Sequence, residues 1–76
     1  MTDQEKLYDA TADGLPAVRE LVAREGWEPD HLRAVAYDVK VRLIHELNLI
    51  TRATTELQVD VAPFLWRLDA LRQMVG

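Results

Sequence analysis

Apolar residues recur along this chain with the spacing of helices. After Pro29 there is neither Pro nor Gly until Pro63. Turning each residue about 100° from the last puts Leu32, Val35, Ala36, Val39, Leu43, Leu47, Ile50, Ala53 and Leu57 on one face. This pattern predicts one long amphipathic helix over about 29–57. Asp38, Arg42, His45, Arg52 and Glu56 line one flank. There the pairs Asp38–Arg42, Arg42–Glu46 and Arg52–Glu56 stand at i,i+4, each contributing about 0.2–0.5 kcal/mol.

Three shorter helices are readable around it. Thr2-Asp3-Gln4-Glu5 is a capping box, opening a helix that runs to about Ala12 and turns Leu7 and Tyr8 inward. Asp13-Gly-Leu-Pro16 and Asp60-Val-Ala-Pro63 then repeat one kind of helix start. In each, an Asp N-cap accepts a backbone N–H, and a Pro in the first turn gives up an N–H that has no helical partner. The second helix should span about 14–25, bury Leu15, Val18, Leu21 and Val22, and end at Gly26. The fourth should span about 61–75, with Phe64, Leu68, Leu71 and Val75 on its inner stripe. LQVDVA, residues 57–62, reads as an extended corner. The expected architecture is all-α: a compact four-helix domain over 1–76, with two shorter N-terminal helices, a long central helix and a C-terminal helix.

The long helix carries a second stripe. Tyr37, Val41 and Ile44 cluster opposite the main apolar face, and Asn48 follows at the same heptad-like spacing. A helix apolar on two sides is either enclosed within its own bundle or shared with another chain. The pattern leaves both readings open, and Asn48 is a residue type that can set register in a shared seam. Glu46 lies at the edge of the main apolar face, where a carboxylate must pair with Arg42, reach solvent or meet a partner's cation. Trp27, just after Gly26, suits a lid on the corner. Trp66, beside the apolar stripe of the last helix, suits a partly exposed interface residue.

Composition narrows the chemistry. In 76 residues there is no Cys and no Ser, and the only histidines are His31 and His45. Disulfides and thiolate metal sites are therefore excluded, and no metal or other cofactor is expected. No Gly-rich phosphate loop or clustered acid pair is present, so no enzyme is expected. A chain this short buries only about 60% of its unfolded surface, which makes a partner chain a natural support. The start has no apolar signal segment, and no apolar run approaches the roughly 18 residues of a membrane span. The expected location is the cytoplasm, with no membrane contact. The formal net charge is −4, unevenly spread. Residues 1–30 hold eight acids against three basic side chains, whereas residues 31–76 hold five against six.

Two functions follow as expectations. The first is a small acidic interaction module that binds another protein, acting as a regulator, inhibitor or adaptor, with a homodimer as one form. Its candidate contact residues are Tyr37, Val41, Ile44, Glu46, Asn48 and Trp66, with acids of the first thirty residues rimming the seam and a basic partner surface covered by it. The second is a dimeric helix-turn-helix-like DNA reader built on the bend at 21–35. There Gly26 makes the turn, and His31, Arg33 and Lys40 supply the contacts. The acids Glu28 and Asp30 would then face phosphates, and no basic stripe is present, so nucleic acid is the disfavoured partner. Glu25-Gly26 also resembles the end of the Ser/Thr-x-x-x-Glu-Gly/Asn motif of small antitoxins of Fic enzymes. Leu21 stands in place of its Ser or Thr, so no family is assigned.

Overall fold

The periodicity read along the chain appears as four helices in the computed structural model, which describes residues 1–53 and 61–75. They are α1 (Asp3–Ala12), α2 (Leu15–Glu25), α3 (Pro29–Ala53) and α4 (Ala62–Val75). The fold is all-α, as expected, with the long helix third. The expected continuation of that helix to Leu57, the Arg52–Glu56 pair, the corner at 57–62 and the Asp60 cap rest on residues outside those described.

Local chemistry sets most of the helix ends. The Thr2 hydroxyl accepts the Glu5 N–H at 3.2 Å and caps α1. At the other end of α2, Gly26 turns left-handed (φ 66, ψ 34), and its N–H returns to the Val22 carbonyl. Trp27 N–H reaches the same carbonyl at 3.3 Å, which stops the helix where the sequence pattern stops. One cap differs from expectation. Asp13 does not cap α2 but closes α1, its backbone N–H pointing at the carbonyls of Ala10 and Thr11. Gly14 takes the N-cap of α2 with φ 96 and ψ −178 and no side-chain bond. Only glycine enters that backbone region freely, so the tightness of the α1–α2 corner overrides the Asp preference.

α1 and α4 each pack on all three other helices, while α2 and α3 pack chiefly on that pair and little on each other. The core joins Leu7 of α1, Val18 and Leu21 of α2, Leu71 of α4, and Leu32, Val35, Ala36, Val39 and Leu43 of α3. Each fully buried Leu or Val here contributes about 1.5–3 kcal/mol. Phe64, Leu68, Met74 and Val75 of α4 pack half-buried against this core, as do Val22 and Trp27. Leu15, expected inside, is only half-buried. The main apolar face of α3 is closed as far as Leu43, and beyond it Leu47 and Ile50 are half-buried. The long helix gives the molecule its 44 × 24 × 19 Å extents. Among the described residues no helix is long and apolar enough to cross a membrane.

Candidate functional site

The second stripe of α3 lies on the surface. Tyr37 is 66% exposed, Val41 49% and Ile44 38%. α4 packs on α3 without covering them, because its inward stripe is taken up by the core around Leu71. Its neighbouring row, beginning at Leu65 (54% exposed), stands across from the α3 stripe. Between the two helices runs a groove of about 510 Å³, with Ala36, Tyr37 and Ile44 on one wall and Leu65, Leu68 and Val75 on the other. Its charged lining is Arg33, Lys40, Asp69 and Arg72. Arg33 donates to Asp30 at 2.8 Å. Arg72 donates to Asp69 at 2.7 and 3.2 Å, and Gln73 donates to the same carboxylate at 2.7 Å. These bonds, Arg72 first, hold the Asp69 carboxyl below its usual value, so it stays ionised. Lys40 makes no ion pair among the described residues.

The other candidates are spread around this groove. Asn48 is exposed one turn beyond Ile44. Trp66 is 79% exposed but borders a different hollow of about 500 Å³, which it shares with Gly14, Pro16 and Pro63 at the α1–α2 corner. Glu46 is not a free surface carboxylate. It accepts from Arg42 Nε at 3.0 Å and from the Tyr8 hydroxyl at 2.6 Å. Of the other predicted pairs, Asp38–Arg42 is replaced by a bond from Gln4 Nε2 to Asp38 at 3.1 Å. The charge around the groove also differs from expectation. No acid of the first thirty residues lines it. Several of those acids are engaged at helix ends instead: Asp3 with His31 at 2.7 Å, Glu25 with Lys6 at 3.2 Å, and Asp30 with Arg33.

Those same bonds bear on the bend at 21–35. His31 is held by Asp3 and meets Trp27 edge-on at 5.7 Å, so Trp27 packs the corner as well as capping it. Arg33 is paired, and Lys40 faces the α3/α4 groove two turns away. The three basic candidates do not converge on one surface at the bend.

Sequence reasoning missed a polar cluster behind the groove. The Tyr8 ring lies under two guanidiniums, with Arg42 Cζ at 3.7 Å and Arg67 Cζ at 4.2 Å from its centroid. Arg67 donates to Thr11 Oγ1 at 2.9 Å and to the Tyr8 carbonyl at 2.6 Å, and the Thr11 hydroxyl donates to that carbonyl as well, at 2.6 Å. Thr11 is the buried polar residue among those described, and its hydroxyl oxygen is partnered. The hydrogen bond to Glu46 is the main cause raising the Tyr8 pKa, followed by burial and the Glu46 charge, with Arg67 and Arg42 opposing. The cluster ties α4 and α3 to α1. Among the described residues no group of three or more His, Cys, Asp or Glu could hold a metal ion.

Comparison of the chain with protein-family models, with curated proteins and with solved structures finds no match.

Proposed function

We propose that this protein is a small helical interaction module that docks another protein on the α3/α4 face and acts by covering the surface it binds, as a regulator, inhibitor or adaptor. The observation that carries this reading is the exposed apolar set of Tyr37, Ile44 and Leu65 along one groove, with Val41 exposed on the same α3 stripe outside its lining. A contiguous apolar surface on a small folded domain costs solubility, and such patches mark interaction sites. Their exposure does not come from poor folding, because α3 buries its opposite face fully at Val35, Val39 and Leu43.

The test is position-specific crosslinking in host cells. A benzophenone side chain is placed at Tyr37 or Leu65, with exposed Arg19 on α2 as the control position. The expected result is a protein adduct from positions 37 and 65 that survives nuclease, is absent from position 19, and disappears when Ile44→Asp is added to a chain that remains helical. Adducts to nucleic acid alone, or the same adducts from position 19, refute the reading.

A further inference from the structure

We infer that the α3/α4 groove takes an acidic amphipathic helix of a partner protein, an inference that rests on the docking face proposed above and adds the chemistry of its occupant. Three features of the groove lead there. The first is its walls. Both are helices, α3 and α4, whose backbone N–H and C=O groups are taken up by their own hydrogen bonds except for the carbonyls of the last turn of α4. An extended peptide would find no ladder partners here, so its backbone groups would lose water without replacement. A helix brings its backbone already satisfied and offers only side chains.

The second is size. The α3 wall runs from Arg33 to Ile44 and the α4 wall from Leu65 to Val75. Each is roughly 15–17 Å long, or about three helical turns. That length matches an apolar stripe at i, i+3 or i+4, and i+7, with Tyr37, Ile44, Leu65 and Leu68 as the surfaces it meets.

The third is charge. In a chain of net charge −4, the groove lining holds three cations and one carboxylate. Counting Asp30, which bonds Arg33 from just outside, still leaves a cationic surplus. Asp69 is satisfied by Arg72 and Gln73, while Lys40 sits mid-wall without an ion pair among the described residues. Carboxylates flanking the partner's apolar stripe meet Lys40 and the outer nitrogens of Arg33 and Arg72. Such rim pairs select partners and speed encounter more than they add affinity.

The same charges disfavour a second copy as occupant. A two-fold dimer would place this cationic patch against itself. A head-to-tail contact would need an exposed apolar stripe on the acidic α1 or on the charge-balanced α2, but Leu7, Val18 and Leu21 are all buried.

The experiment titrates the whole chain, labelled for amide NMR, with two stapled probe helices of about three to four turns that share a Leu stripe and differ in flanks, Glu in one and Lys in the other. The Glu probe should shift Tyr37, Lys40, Ile44, Leu65 and Arg72, and bind about tenfold more tightly than the Lys probe at low salt, with the gap closing as salt rises. Lys40→Glu should weaken the Glu probe about three- to tenfold, while Arg24→Glu on α2 should not. Equal binding of both probes in the groove overturns the acidic partner but leaves the docking face standing. Self-association that occupies the groove, measured by sedimentation, does the same and makes a second copy the occupant. Groove signals that move with neither probe while the chain stays monomeric overturn both.

Discussion

Removing one hydroxyl tests the polar cluster behind the groove. Tyr8→Phe keeps the ring under Arg42 and Arg67 and deletes only the donor to Glu46, a bond of 2.6 Å. A hydrogen bond to a charged group is worth about 1.5–3 kcal/mol when buried. The Glu46 side chain is 29% exposed and keeps Arg42 at 3.0 Å, so solvent and the remaining cation soften the loss. The expected cost is therefore about 1–1.5 kcal/mol. A domain of this length holds roughly 4–11 kcal/mol in all, and the loss should lower Tm by about 5–10 °C. The pH dependence supplies a second signature. The Tyr8 pKa is raised above its ordinary 10.0, chiefly by the bond to Glu46. The unfolded chain therefore sheds this proton first as pH rises. The contribution of the bond is full below about pH 10 and is lost as pH climbs through the raised folded value. Urea unfolding followed by far-ultraviolet circular dichroism should show wild type above Tyr8→Phe near neutral pH, with the two converging in base. A variant within about 0.3 kcal/mol of wild type near neutral pH, or a gap that does not narrow as pH rises above the ordinary tyrosine value of 10.0, refutes the reasoning.

The second stripe and the two corner glycines give sharper mutational contrasts. Tyr37→Asp with Val41→Asp should cost under about 1 kcal/mol in total and keep full helicity, whereas Val39→Asp, at a position 1% exposed, should cost more than about 4 kcal/mol. Unfolding of the double variant in the same urea titration would place that stripe in the core. Gly14→Ala, at φ 96 and ψ −178, should destabilise by about 1–3 kcal/mol, and Gly26→Ala, at φ 66 and ψ 34 with open space around the new Cβ, by about 1 kcal/mol. The opposite order would show that local strain does not set these corners.

Periodicity carried most of the architecture because it reports a local property. Leu32, Val35, Ala36, Val39 and Leu43 recur at helical spacing, and they are the residues α3 buries. Gly26 was legible for the same reason, since the apolar pattern of α2 ends where a left-handed residue is needed. Asp13 misled because Asp-x-x-Pro is a common helix start, while the backbone angle demanded at Gly14 depends on how closely α1 and α2 approach. The stripe at Tyr37, Val41 and Ile44 could be found but not placed inside or outside. Its spacing is the same in either case, and only the packing of α4 through Leu71 into the core, rather than over Tyr37, decides. The second wall of the groove was missed, although Leu65 already stood off the Phe64–Leu68–Leu71 stripe. The Tyr8 cluster was out of reach because its bonds join residues 38 and 59 positions apart. The one available sign was Glu46 itself, a carboxylate on an apolar edge that required more donors than Arg42 alone provides.

Arg67 has a consequence for the order in which the chain can become stable. The last turn of α1 contains no basic residue to meet the partial negative charge of its carbonyl end. Arg67 supplies that cation from α4, arriving at Thr11 and at the Tyr8 carbonyl. The first helix is thus finished by a residue of the fourth, 56 positions further along the chain. A nascent chain that has emerged only as far as α3 lacks this cation and the Leu71 side chain that closes the core. Its N-terminal helices, short and with little apolar surface of their own, have no reason to hold. Folding of this protein therefore waits for α4, and a chain arrested before residue 67 remains open to proteases and to whatever chaperone meets it at the ribosome.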